Sequence, residues 1–191
     1  GNYSCATPPT WRASFLETNA WGWVEHSIWW DAPRNLTRWD KNGSIDASGP
    51  SSLSLINNYT APLEYVNFVH PANQCYIYGN SPLYPWGYGE SSGMQHVGQT
   101  AEGSVDFWSA ASEGMVPSYR WQTQSLGGGL CVPFGWTRGE ASVQLLDFQA
   151  SPTFSQDTFV PAPQCLQTPR FAGCRAQAAR ASWEKLHAKR I

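Results

Sequence analysis

A mainly β fold, a single sandwich-like domain with long aromatic, Pro- and Gly-rich loops and a C-terminal α-helix, is what this sequence predicts. Three observations predict it. Residues 20–34 (AWGWVEHSIWWDAPR) hold four of the eleven tryptophans and end at a proline, and aromatic and β-branched residues suit a pleated, packed surface. Elsewhere short apolar runs are cut by Gly, Pro and Asn, the punctuation of strands and turns. Only residues 175–189 (RAQAARASWEKLHAK) have helical composition, being alanine-rich, free of Gly and Pro and basic at the C-terminal end.

The elements follow in order. The Pro8-Pro9 pair favours an extended entry, and residues 11–16 read as a strand or a short helical turn. In the tryptophan-rich strand, Trp21, Trp23, Glu25, Ser27 and Trp29 share one face and Val24, His26, Ile28 and Trp30 the other. Residues 34–52 (RNLTRWDKNGSIDASGPSS) read as a long polar excursion, with Asn42-Gly43 and Gly49-Pro50 as turn dipeptides. The sequons in that excursion place the far end of the aromatic strand at the surface, so Trp29 and Trp30 are expected near a rim and Trp21 and Trp23 deeper. Residues 53–56 and 63–69 are strand candidates; in the second, Leu63, Tyr65, Asn67 and Val69 lie opposite Glu64, Val66 and Phe68. Residues 75–78 form a further strand, and residues 81–90 (SPLYPWGYGE) a rigid ring-bearing loop of the kind that carries binding. Residues 105–108 and 118–122 are short strands, and Gly127-Gly128-Gly129 is a joint. Residues 137–140 resemble a capping box ahead of a helix over 141–148, with a strand as the alternative because Gly139 weakens the helix. Pro-rich coil fills 151–173. The expected organisation is a β-rich glycoprotein domain over 1–164 and a basic segment over 165–191 carrying the helix 175–189, whose apolar face is Ala176, Ala179, Trp183 and Leu186.

Composition narrows the function. Residues 1–164 carry six basic and thirteen acidic side chains, net −7, and residues 165–191 carry six and one, net +5. An acidic body with a short basic tail is not a nucleic-acid-binding profile. No apolar run reaches the roughly eighteen residues of a spanning helix, and no basic-then-apolar leader opens the chain. The five cysteines, Cys5, Cys75, Cys131, Cys165 and Cys174, are widely spaced with no CxxC. They read as two bridges plus one odd thiol, pairing open, as in an exported protein; Cys165 and Cys174 are close enough to close a small loop. Four sequons begin at Asn2, Asn35, Asn42 and Asn58, where about one or two would arise by chance. A secreted or extracellular glycoprotein is the expectation.

Chemistry finds little support. Residues 89–93 (GESSG) match the G-x-S-x-G pattern with His96 nearby, but neither the preceding strand nor the following helix of a nucleophile elbow is present. Glu102, Asp106 and Glu113 lie around Trp108, as a glycosidase pair flanked by stacking rings could, yet no spacing rule marks them. His26, His70, His96 and His187 are too scattered to imply a metal. No catalytic residue, cofactor or metal is expected. Eleven tryptophans exceed what most cores need, so some belong at an interface.

Residues 28–34 (IWWDAPR) with the Asn35 and Asn42 sequons, and later residues 84–90 (YPWGYGE), resemble patches of the betaretroviral envelope surface subunit, in the same order. Residues 22–25 (GWVE) resemble another such patch. Residues 131–132 (CV), 135–141 (GWTRGEA) and 145–146 (LL) resemble a segment of the alpharetroviral surface subunit. Together the patches cover about a quarter of the chain, and the clustered cysteines of the betaretroviral C-terminal half are missing. The resemblance implies a virion-surface, glycosylated, non-catalytic subunit that binds a cell-surface receptor and associates with a membrane-anchored fusion subunit. The terminal residues 187–190 (HAKR) are similar to the cleavage site that ends such subunits. The function expected is therefore recognition of a cell-surface protein or glycan through Trp29, Trp30, Tyr84, Trp86 and Tyr88, with a secreted carbohydrate-binding protein or small glycan-active enzyme as the alternative.

Overall fold

The computed structural model describes residues 4–47, 49–70, 73–79, 87–88, 94–110 and 120–167, the side chains of residues 46, 87, 88, 110 and 138 apart. The described residues form thirteen strands: β1 (Cys5–Ala6), β2 (Thr10–Asn19), β3 (Gly22–Asp31), β4 (Leu36–Asp46), β5 (Gly49–Asn58), β6 (Leu63–His70), β7 (Gln74–Gly79), β8 (Gly87–Tyr88), β9 (Met94–Gln99), β10 (Val105–Ala110), β11 (Arg120–Gly127), β12 (Leu130–Arg138) and β13 (Ala141–Ala150). A 3-10 turn (Gln156–Phe159) and a five-residue helix, α1 (Pro163–Gln167), follow. All strands belong to one sheet, ordered β7-β6-β5-β4-β3-β2-β13-β12-β11-β10-β9, with β1 and β8 off that path. The path is two antiparallel meanders, β2–β7 and β9–β13, joined where β2 pairs with β13. β1 lies parallel to β12 and antiparallel to β8.

Alternation makes one face of this sheet apolar. In β2 the buried side chains are Trp11, Ala13 and Phe15, and in β3 they are Val24, His26, Ile28 and Trp30. The strand register lines them up in rows: Trp11–Trp30–Thr37–Asn57–Glu64–Tyr78 and Ala13–Ile28–Trp39–Leu55–Val66–Tyr76 on the first meander. A third row continues onto the second meander as Glu17–Val143–Trp136–Trp121–Trp108–His96.

The sheet curls so that this face closes on itself. Trp39 on β4 and Trp136 on β12 are four strand steps apart, about 19 Å along a flat sheet, yet their ring centroids are 6.3 Å apart. His26 on β3 reaches the same Trp136 ring at 6.1 Å. Long twisted sheets relieve their twist by such coiling. The protein is therefore the expected mainly β single domain, and its two apposed layers are the arms of one continuous sheet.

On the convex face a strap over residues 152–167 lies across β4–β7. Cys165 is disulfide-bonded to Cys75 on β7, Arg38 donates from Nη1 to the Thr158 carbonyl at 3.0 Å, and Gln164 donates to Asn67 Oδ1 at 3.1 Å. Ile56 and Ile77 point outward in register and are buried all the same. A cavity of about 220 Å³ remains between strap and sheet, lined by Ile56, Tyr65, Val69, Val160 and Pro161 among others. The expected boundary at residue 165 falls inside α1, and the expected helix 175–189 lies outside the described residues.

Four local expectations are corrected. Residues 34–52 are not a loop but β4 and the start of β5; polar residues on both faces hide the period of two. Asn42-Gly43 is not a turn but a strand crossing: Gly43 has φ +134°, and a Cβ there would stand 2.3 Å from the Trp23 carbonyl oxygen, so only glycine lets β4 come so close to β3. Residues 141–148 take the strand alternative, because Gly139 at φ +57° closes a hairpin with Glu140 rather than opening a helix. The three glycines 127–129 all have positive φ and form the β11–β12 hairpin turn. The aromatic strand is buried in the reverse sense to that expected: Trp30 is 8% exposed and stacks on Trp11 at 6.0 Å, whereas Trp23 is 55% exposed.

Candidate functional site

Where the two meanders meet, the concave face carries a hydrogen-bonded chain of side chains from three strands. His26 Nε2 lies 2.6 Å from Glu17 Oε2 on β2, and the Trp39 indole N–H on β4 donates to His26 Nδ1 at 3.0 Å. An indole nitrogen can only donate, so Nδ1 is the acceptor and the neutral ring carries its proton on Nε2, pointing at the carboxylate. The cross-strand rows that set Phe15 opposite His26, and His26 opposite Lys41, place all these groups side by side. Asn19 donates to Glu17 Oε1 at 3.0 Å, and the Lys41 ammonium lies over the Trp39 ring, 4.9 Å from its centroid.

Burial sets the charge states. The His26 side chain is 3% exposed and that of Glu17 is 21% exposed, so the chain runs from a dry ring to a carboxylate that touches solvent. Burial, with Lys41 beside it, lowers the His26 pKa against the opposing pull of Glu17. Burial also works against the Glu17 carboxylate, but hydrogen bonds from His26 and Asn19 and the Lys41 charge outweigh it and hold its pKa below the ordinary value. Neutral histidine beside an ionised carboxylate agrees with the hydrogen-bond directions. Farther along the face, burial above all raises the Tyr59 and Tyr78 phenols, with Tyr76 adding to the effect on Tyr78 and the Glu64 charge to both.

Rings form the rest of the wall. Phe15 and Trp121 each lie 5.0 Å from Trp136. Trp108 donates to Thr123 Oγ1 at 2.8 Å and meets His96 edge-on at 5.1 Å. Trp39, Trp121, Phe68, Tyr76 and Phe148 pack against the buried clusters but are themselves only half-buried. Such a concave, mostly apolar surface with a few convergent polar groups is the usual form of a ligand site.

The sequence-derived candidates are spread over the molecule. Trp29 is half-buried on the convex face, flanked by the Arg12 and Arg38 guanidinium groups at 5.5 and 5.2 Å. Trp30 is a core residue, not a contact residue, because its position in the alternation faces inward. Tyr84 and Trp86 lie outside the described residues; of Tyr88 only the backbone is described, paired with Cys5. Asn35 and Asn42 are exposed, Asn58 is half-buried with its Oδ1 accepting from the Ala61 N–H at 3.0 Å, and Asn2 lies outside. The cysteines pair as Cys5–Cys131 and Cys75–Cys165, so Cys165 does not close a loop with Cys174, which lies outside the described residues. Asp106 is buried and accepts from Gln99 as well as meeting His96 at 2.8 Å. Glu102 sits exposed in the β9–β10 turn with Ser104, and Glu113 and residues 89–93 lie outside the description. Among the described residues no cluster of His, Cys, Asp and Glu is arranged to hold a metal, and no helix is long and apolar enough to cross a membrane.

Sequence reasoning misses Glu17, Trp39, Lys41, Trp121 and Trp136 as site residues. The signal for Trp39 and Lys41 is their alternation with Arg38 and Asp40, inside a stretch that reads as loop.

No family model matches the chain, and no curated protein matches it. Among solved structures it is similar to a crystal structure of an uncharacterized conserved protein from Thermus thermophilus, with a TM-score of 0.58 at 13% identity over 87% of this chain and 91% of that one. The likeness is one of fold: the curled antiparallel sheet is shared with a bacterial protein.

Proposed function

We propose that the protein is an exported binding protein that recognises a ligand without transforming it, holding an apolar or aromatic body against the concave face. The observation that carries this is that both arms of the sheet turn half-buried rings inward, Trp39, Phe68 and Tyr76 from one and Trp121 and Phe148 from the other. The two disulfides suit an oxidising compartment. Titration with a brominated alkyl carboxylate, whose bromine quenches indoles on contact, tests it. Saturable quenching weakened at least about tenfold by Tyr76→Asp is expected; quenching that never saturates, as with a free indole, sinks the reading.

A second reading rests on the convex face, where Trp29 is held between Arg12 and Arg38 and Trp23 stands exposed on the same strand. Trp and Arg are the residues that anchor macromolecular interfaces, so this face suits a cell-surface protein or glycan. The retroviral resemblance draws nothing from the fold, which a Thermus protein shares, so the partner is left at the level of its chemistry. Glycan-array and cell-binding signals lost on Trp23→Ala, with alkyl-carboxylate quenching unchanged, favour this reading over the first. Glycans on Asn35 and Asn42 belong to the proposal, and intact mass before and after N-glycan removal reads them. The Thr37 of the Asn35 sequon is buried, so that glycan must be attached before β4 folds.

A further inference from the structure

The Glu17–His26–Trp39 chain admits one arrangement of protons, and that makes it sensitive to acid. His26 is buried against β2, β4 and β12. The charged groups facing it among the described residues are Glu17 from β2 and Lys41 from β4; Phe15 and Trp136 contribute uncharged rings. Its Nε2 proton is already committed to Glu17, so a further proton can only enter at Nδ1. That atom is the acceptor for the Trp39 indole N–H, 3.0 Å away. An imidazolium has no acceptor. Once Nδ1 is protonated, two N–H groups face each other and the indole must turn away.

We infer that His26 is a proton-operated latch on Trp39, and that acidification loosens the concave face's hold on its ligand; the second half rests on the concave-face reading above. Trp39 is suited to transmit the change because its ring packs against both the Trp11–Trp136 cluster and the Leu53–Tyr78 cluster, and meets Trp136 edge-on. The proton comes from water, and what it displaces is the Trp39 N–H···Nδ1 hydrogen bond; no covalent bond of the protein is broken. At neutral pH the latch is shut with His26 neutral and Glu17 ionised.

The test is 15N NMR of the intact, oxidised protein from about pH 7.5 to about pH 4.5, with parallel titrations of the brominated alkyl carboxylate. Expected are a bare Nδ1 on His26 at the neutral end, a Trp39 indole signal that moves with a single-proton transition matching His26, and a Kd that weakens at least about fivefold over the same range. His26→Gln should abolish the indole transition. If that variant does not fold, the wild-type imidazole nitrogens still decide the matter directly. Nδ1 protonated at neutral pH, or an indole signal that stays flat, overturns the latch. An indole transition with an unchanged Kd overturns its control of the ligand alone. A probe that binds at no pH sinks the concave-face reading and leaves the latch to be judged by the NMR.

Discussion

Replacing Cys75 and Cys165 together by alanine removes a cross-link between residues 90 apart in sequence. The entropy such a link removes from the unfolded chain grows with the logarithm of the loop, and for this separation it amounts to about 4.6 kcal/mol at 25 °C. The structure adds a local consequence, since the same bond holds the strap over Ile56 and Ile77, both 5% exposed. Without it, the strap keeps its apolar packing through residues such as Phe159 and polar ties such as Arg38 to the Thr158 carbonyl and Gln164 to Asn67, each tie worth about 1 kcal/mol net. Urea unfolding followed by tryptophan fluorescence, with both proteins carrying Cys174→Ser, should show a loss of about 3–5 kcal/mol. Limited proteolysis should then cut between β13 and α1 before the sheet unfolds. Removing Cys5 and Cys131, 126 apart, should cost a similar amount but leave the strap protected. A loss below about 1 kcal/mol for the first pair, or equal protease sensitivity in both variants, would refute the account of the strap.

Acid should weaken the fold in two stages. His26 and Glu17 titrate near 6.5 and 4.5 when unperturbed, and the fold lowers both. The unfolded chain therefore binds protons first, and stability present above about pH 6.5 falls as pH drops through the His26 window and again below about 4.5 through that of Glu17. Urea midpoints across pH check this, and His26→Gln should remove the upper stage and, by taking away the imidazole that helps lower the Glu17 pKa, shrink the lower one. Gly43→Ala should destabilise by about 2–4 kcal/mol, because the new Cβ meets the Trp23 carbonyl and the backbone is held at positive φ; thermal melts would show it. Trp30→Ala should cost about 3–5 kcal/mol, while Trp23→Ala should stay within about 0.5 kcal/mol, measured by the same unfolding assay. Equal costs would mean that the assigned faces of β3 are wrong.

The strands that can be read from the sequence are those with one apolar face. β6 shows its alternation so clearly that Glu64, Val66 and Phe68 group correctly, and the aromatic run marks β3 to within a few residues of its ends. β4 escapes because its inward positions are Thr37, Trp39, Lys41 and Gly43, of which only one carries a large apolar group; a strand that carries part of a polar site loses the pattern that would reveal it. The depth of the aromatic strand comes out inverted when the sequons decide it. A sequon marks where one asparagine must be reached, and Asn35 is reached from the β3–β4 turn without exposing Trp30. The Glu17–His26–Trp39 chain is beyond sequence reasoning for a different reason. Its members come from three strands and meet only through register, and register is fixed by pairing rather than by composition.

The seam between β2 and β13 bears on how the molecule assembles. Every other neighbour pair along the path β7-β6-β5-β4-β3-β2 and along β9–β13 joins consecutive strands, and hairpins of that kind can form quickly and locally. The seam instead joins Trp11 to Ala150 and Thr18 to Ser142, so its contacts carry most of the loop-closure cost of the topology. Two hairpin stacks would then form early and dock late, with the seam as the rate-limiting step. The Cys5–Cys131 bond ties residues on the two sides of that docking event. Forming it first would turn a slow encounter between the ends of a long chain into the short closing motion of a tethered pair.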